Sequence, residues 1–163
     1  ECMVVGWGRI GRALTQILVV LGGKVTVLSR RSEVFPEIAD MGALCRFTYQ
    51  AAELIGDMRY VFSTPPSMVI NEDALKNARK DSVIIDLASP PYGADPALAQ
   101  HLGWGAENVM SFGDGLNDLT MIEAAGLGVV MANGVDELKN CANYITDDCD
   151  HDGVAAAIEK FCL

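Results

Sequence analysis

Short apolar runs alternate with segments of helical period along the whole chain, and this alternation limits the available folds more than any other feature. Strand-like runs fall at 2–5, 24–28, 44–47, 60–63, 82–87, 109–112, 128–131 and 144–146. Between them, helical spacing covers 10–22, 33–41, 50–55, 69–78, 95–102, 117–125, 135–141 and 152–161. Val83-Ile84-Ile85 and Val129-Val130-Met131 are apolar at successive positions, the mark of strands covered on both faces. Strand and helix alternating in this way predict an α/β fold, a single doubly wound parallel sheet in a Rossmann-like three-layer sandwich with right-handed crossovers. The expected strand order is 3-2-1-4-5-6-7-8. Residues 1–163 are expected to form one domain, with a front half over 1–95 and a back half over 96–163.

The chain has 163 residues, half of them apolar, and carries a net charge of −10. A chain this long buries about 70% of its unfolded surface, so a packed core is expected. So acidic a surface repels phosphate backbones and anionic lipids, which argues against nucleic-acid and membrane partners. The five cysteines, Cys2, Cys45, Cys141, Cys149 and Cys162, include no C-x-x-C pair. They predict no disulfide framework and no zinc ribbon, but a reducing, cytoplasmic setting, with Cys2 and Cys45 as small core residues. No apolar stretch reaches 18 residues and no basic segment precedes one, so neither a membrane span nor a signal peptide is expected. The chain opens inside a strand at Glu1, which suggests that something upstream was removed or that the chain was assembled. The strongest break in the pattern is Ser89-Pro90-Pro91-Tyr92-Gly93.

Gly6-Trp7-Gly8-Arg9-Ile10-Gly11 follows the first strand and opens the first helix. A G-x-G-x-x-G in that context is a phosphate cradle: Gly6 for the turn, Gly8 for close approach of a pyrophosphate, Gly11 for helix packing. The helix start adds free N–H groups and the positive end of its dipole. The same glycines also suit a bare structural turn. The second strand ends in Ser29-Arg30-Arg31, where a site for NAD would carry a carboxylate; two guanidiniums there suit a 2′-phosphate instead. A solvated arginine pair is the alternative. Ser63-Thr64-Pro65-Pro66 follows the fourth strand, where such sites line the nicotinamide half, or forms only a stiff turn.

These residues resemble a known family. GWGRIG, VTVLSRR, STPP and VIIDLASPPYG make residues 1 to about 95 similar to the nucleotide-binding domain of the NADP-dependent dipicolinate synthase family. The resemblance implies NADP as the cofactor, held by Gly6, Gly8, Arg9, Ile10, Gly11, Ser29, Arg30, Arg31, Thr64 and Pro65. It includes none of that family's separate substrate domain.

In the back half, Phe112-Gly113-Asp114-Gly115-Leu116-Asn117-Asp118 follows a strand and opens a helix. Two acids at one helix start suit Mg²⁺, whereas Asn117 or Asp118 as a helix cap would use the same residue types. From about Asp95 to Leu163, GDGLNDLTMIEAAGLGVVMANG and VDELKNCANYITDDCDHDGVAAAIEKF resemble the C-terminal part of a Cof-type haloacid dehalogenase-superfamily phosphatase. That resemblance implies that Asp114 and Asp118 match metal-binding acids, and that Asn117 and Asn133 border the metal–phosphate site. The family's nucleophile loop, threonine strand and lysine have no match in this sequence.

Two resemblances joined near the proline-rich seam imply an engineered chimera, with both partial sites at one sheet edge. Three functions follow as expectations. The first is a non-catalytic domain that binds NADP(H) or another small-molecule nucleotide. The second is an NADP-dependent oxidoreductase, whose acid/base group would have to be His101 or His151. The third is a Mg-dependent phosphatase, for which Asp86 would have to join Asp114 and Asp118, with Ala88 standing where the acid/base is needed.

Overall fold

The computed structural model describes residues 1–88, 91–103, 105 and 109–162. Ser89 and Pro90 of the seam lie outside the described residues. Eight strands form one sheet: β1 (Cys2–Val5), β2 (Val25–Ser29), β3 (Leu44–Phe47), β4 (Tyr60–Ser63), β5 (Val83–Asp86), β6 (Val109–Gly113), β7 (Leu127–Met131) and β8 (Tyr144–Thr146). Their order is β3-β2-β1-β4-β5-β6-β7-β8, and every neighbouring pair is parallel. The order follows from the expected crossovers, including the return of each back-half strand to the growing edge beside β5.

The helices are α1 (Arg9–Val20), α2 (Phe35–Asp40), α3 (Ala51–Leu54), α4 (Glu72–Asn77), α5 (Pro96–His101), α6 (Leu119–Ala124), α7 (Asp136–Lys139) and α8 (Gly153–Cys162). Alternation along the strands divides the core between the two faces. Val4, Val27, Phe62, Ile85, Met110, Phe112 and Val129 pack with Leu14 and Leu18 of α1, Ile38 of α2 and Ala157 of α8. Met3, Val5, Leu28, Val61 and Ile84 pack with Ala51 of α3, Leu75 of α4 and Ala99 of α5. Ile122 and Leu138, from α6 and α7, close over Val130.

The join between the two halves is an ordinary parallel pair: Ile84 faces Val109, Ile85 faces Met110 and Asp86 faces Ser111. Ile85, Met110 and Phe112 share one apolar cluster, so the core runs unbroken across it.

Several helices are shorter than their periodicity predicts. α4 starts at Glu72 rather than 69 because the Asn71 side chain accepts from Ala74 N–H at 3.1 Å and fixes the cap there. The 117–125 segment opens as a 3-10 turn, Leu116–Asp118, before α6. The outermost strand β3 is not covered on both faces; its Leu44 is exposed at the edge of the sheet. Cys2 is buried as expected, and burial pushes its thiol upward, whereas Cys45 is only half-buried on that edge strand. Cys2, Cys45, Cys141 and Cys149 are free thiols. No helix among the described residues is long and apolar enough to cross a membrane.

Candidate functional site: the glycine loop and the carboxyl edge

The three glycines of the loop stand in different situations. Gly6 has φ +99°, and a Cβ there would lie 2.5 Å from Thr64 Oγ1. A Cβ on Gly11 would run into the Gly6 carbonyl oxygen. Both positions are therefore glycine for the fold's own sake. At Gly8 the backbone is ordinary (φ −94°, ψ −165°), and an added Cβ would meet nothing within 4 Å. The fold itself sets no requirement for glycine at this position; the space beside it is open.

Gly8 is also the N-cap of α1, with no side-chain cap and no acidic residue in the first turn. The first turn thus presents N–H donors and the positive dipole end with no carboxylate of its own to satisfy them.

The loop is held rigid from three sides. Thr64 Oγ1 donates to the Val5 carbonyl at 2.8 Å, tying the 64–66 turn to the end of β1. The buried Trp7 indole donates to Glu37 Oε2 at 3.0 Å, and Arg12 pairs with Glu37 Oε1 at 3.0 Å. The Arg12 guanidinium lies 5.7 Å from the centre of the Trp7 ring. Arg31 Nη2 reaches back to the Trp7 carbonyl at 3.4 Å. The Trp7–Glu37–Arg12 cluster was not legible in the sequence: Trp7 occupies a free position of the motif and Glu37 lies 30 residues away.

At the end of β2, Ser29 is buried, and its hydroxyl accepts from Arg31 N–H at 3.1 Å. It therefore shapes the turn that carries Arg30 and Arg31, both exposed. Pro65 is half-buried against Gly6, while Arg9 and Ile10 are exposed on the first turn of α1. The expected cradle residues are thus gathered around one end of β1, β2 and β4.

The carboxylates of the back half have other roles. Asp86, at the end of β5, accepts from Ala88 N–H at 3.1 Å, Gly93 N–H at 2.7 Å and Ala94 N–H at 3.0 Å. Burial pushes its carboxyl above the usual aspartate range, and those three donors pull against the rise. Asp118 Oδ2 accepts from Asp114 N–H at 3.1 Å and Gly115 N–H at 3.2 Å, while its Oδ1 accepts from Asn117 Nδ2 at 2.8 Å. Asp118 therefore clamps the preceding loop and does not cap α6 with its side chain.

Asp114 is exposed and takes a long contact, 3.4 Å, from Asn133 Nδ2. The grouping of Asp86 with Asp114 and Asp118 that a phosphatase would need is not formed: among the described residues no three His, Cys, Asp or Glu side chains gather to hold a metal ion. Asp86 and Asp118 are engaged by fixed N–H donors, whereas the Asp114 carboxylate is left with only the long Asn133 contact. His151 is exposed and paired to Asp148 at 2.6 Å, which raises the imidazole and lowers the carboxyl. His101 is exposed on α5.

Fold and edge geometry together define a Rossmann-like α/β chain. A family model for haloacid dehalogenase-like hydrolases matches residues 94–158. The Bacillus subtilis phosphatase YcsE, named for 5-amino-6-(5-phospho-D-ribitylamino)uracil, is 52% identical over 66 residues, 40% of this chain and 26% of that protein. The dipicolinate synthase subunit of Bacillus subtilis is 33% identical over 103 residues, 63% of this chain and 35% of that protein. The crystal structure of the corresponding Bacillus halodurans protein superposes with a TM-score of 0.60 at 32% identity, again over 63% of this chain and 35% of that one. The chain is thus a composite of a dipicolinate synthase-like and a haloacid dehalogenase-like segment. It spans between a quarter and about a third of each of these relatives.

Proposed function

We propose that this chain is a nucleotide-binding domain that takes NADP(H) at the glycine loop and catalyses no reaction of its own, an engineered chimera of two doubly wound parents. The observation that carries the reading is Gly8. Its open flank, with the uncapped and acid-free first turn of α1, makes a cradle that a Cβ would fill. A pyrophosphate fits that cradle, and its oxygens would accept from the first-turn N–H groups.

Arg30 and Arg31 stand at the end of β2, where the adenosine ribose would lie, and no carboxylate ends β2 to receive a free 2′-hydroxyl. They favour a 2′-phosphate. Thr64 and Pro65 border the same loop on the side of the nicotinamide half. Free thiols suit a reducing, cytoplasmic setting.

The chimera reading rests on the two relationships, each to a different family, and on their meeting near the 89–93 seam. The absence of catalysis rests on the sequence, which has no match for the phosphatase nucleophile loop and none for the reductase family's substrate domain. Titration calorimetry with NADP and NAD tests the binding: NADP binds more tightly, with modest affinity because no facing domain encloses the nicotinamide half. Equal or tighter binding of NAD refutes the assignment of the arginine pair.

A further inference from the structure

Among the described residues, one face of α1 has no partner. Gly11, Leu14 and Leu18 turn toward the sheet, and Val19 lies against the turn at Gly42. In contrast, Ile10, Ile17, Val20 and Leu21 are 50%, 55%, 81% and 73% exposed. Ala13 is exposed as well. Helical spacing sets positions 10, 13, 17, 20 and 21 on one stripe, about 100° wide. An apolar stripe of this extent on an acidic chain marks a contact surface.

We propose that the stripe is a homodimer interface, in which α1 packs antiparallel against α1 of a second copy. Shape selects that occupant first. A two-fold axis midway between positions 13 and 17 sets Ile10 against Val20 of the other copy. The same axis sets Ala13 against Ile17, so the large side chain of each copy enters the space left by the small one. A stripe that complements itself in this way is what an isologous contact requires.

Charge selects it second. The molecule carries −10, which keeps most pairs of faces on two copies apart. Residues 13–23 carry no charged side chain, so these surfaces meet without that repulsion. The first turn of α1 has no acidic residue and the last turn no basic one, the reverse of what the helix dipole favours. Antiparallel pairing brings Arg9 of each copy to the negative dipole end of the other helix, which carries no basic residue of its own.

Area is the third argument. The four large side chains expose on the order of 500 Å² per copy, and ~1,000 Å² over the pair reaches the lower bound of a specific interface. The association is therefore weak, and it closes at two.

Sedimentation velocity of the whole chain, over on the order of 1 to 200 µM, tests the proposal. The 17.4 kDa monomer doubles in mass across that range. Ile17→Glu and Val20→Glu each shift the dimerisation midpoint at least tenfold upward, while circular dichroism and the melting temperature at low concentration stay as in the parent. Three results overturn the proposal: a chain that stays monomeric at the top concentration, a dimer unchanged in both variants, or association that continues beyond two. Ile17 lies more than two turns from Gly8, so none of these results depends on nucleotide binding.

Discussion

Replacing Gly8 by Val separates the ligand's requirement from the fold's. Val fits the Gly8 backbone angles, and its Cβ meets no protein atom within 4 Å. The loss at the cap is a few tenths of a kcal/mol to about 1 kcal/mol, and restriction of the unfolded chain offsets about 0.4–1 kcal/mol of it. The melting temperature without ligand therefore moves by no more than about 3 °C. In the parent, NADP at a hundred times its Kd adds about 2.7 kcal/mol. For a chain of this length that raises the melting temperature by roughly 5–10 °C. Gly8→Val removes that rise, because the isopropyl group fills the space a pyrophosphate would enter. Gly11→Ala is the control: its Cβ meets the Gly6 carbonyl oxygen, so it lowers stability itself, by about 1–3 kcal/mol. Differential scanning fluorimetry of the three proteins with and without NADP reads both effects. A Gly8→Val protein that keeps the NADP-induced rise refutes the cradle. One that loses as much stability as Gly11→Ala refutes the claim that the fold does not require this glycine.

Asp86→Asn turns an amide N–H₂ toward at least one of three backbone donors and costs about 1–3 kcal/mol in urea melts. Because burial raises the Asp86 carboxyl, its contribution is fullest below the ordinary aspartate value near 4 and is lost as pH rises through the raised folded value. The gap between parent and variant therefore narrows with rising pH, and a gap that widens contradicts the assignment. The two segments unfold in one transition, since the β5–β6 ladder and the Ile85–Met110–Phe112 cluster join them. Calorimetric and van't Hoff enthalpies then agree, whereas two resolved transitions would mean two folding units. Incubation with a generic aryl phosphate and Mg²⁺ gives only background release; turnover abolished by Asp86→Asn would show a rebuilt site.

The sheet was legible because strand existence and order depend on pattern: both-face apolar runs and right-handed crossovers leave few arrangements. What the carboxylates do was not, because it depends on which amide hydrogens the tertiary fold delivers. Asp86 at a strand end reads equally as a ligand or as a loop tie, and only the return of Gly93 and Ala94 decides. By residue type Asp118 suits a metal ligand or a helix cap, yet its side chain turns backward to the Asp114 and Gly115 amides. The glycine motif announced the loop but not what makes it rigid, since Glu37 comes from α2, beyond the second strand. Ser29 sits beside Arg30 and Arg31 in the chain as if part of one anion-binding group, but it differs from them in being buried and engaged in the turn.

The two ends of the sheet edge differ in polarity, and the proposed nucleotide reading turns on that difference. At the seam, acceptors already have their donors: Asp86 receives three amide hydrogens and Asp118 two, besides the Asn117 amide. At the glycine loop the first turn of α1 offers donors and carries no acidic residue of its own, while the nearby Glu37 carboxylate is engaged by Trp7 and Arg12. The net charge of −10 disfavours an anion only at long range, since salt at physiological strength screens beyond about 8 Å. Within hydrogen-bond distance the first-turn amides and the arginines at the end of β2 set the local field. On the proposed reading, an acidic protein can still hold a phosphate there, where the fold leaves Gly8 uncovered.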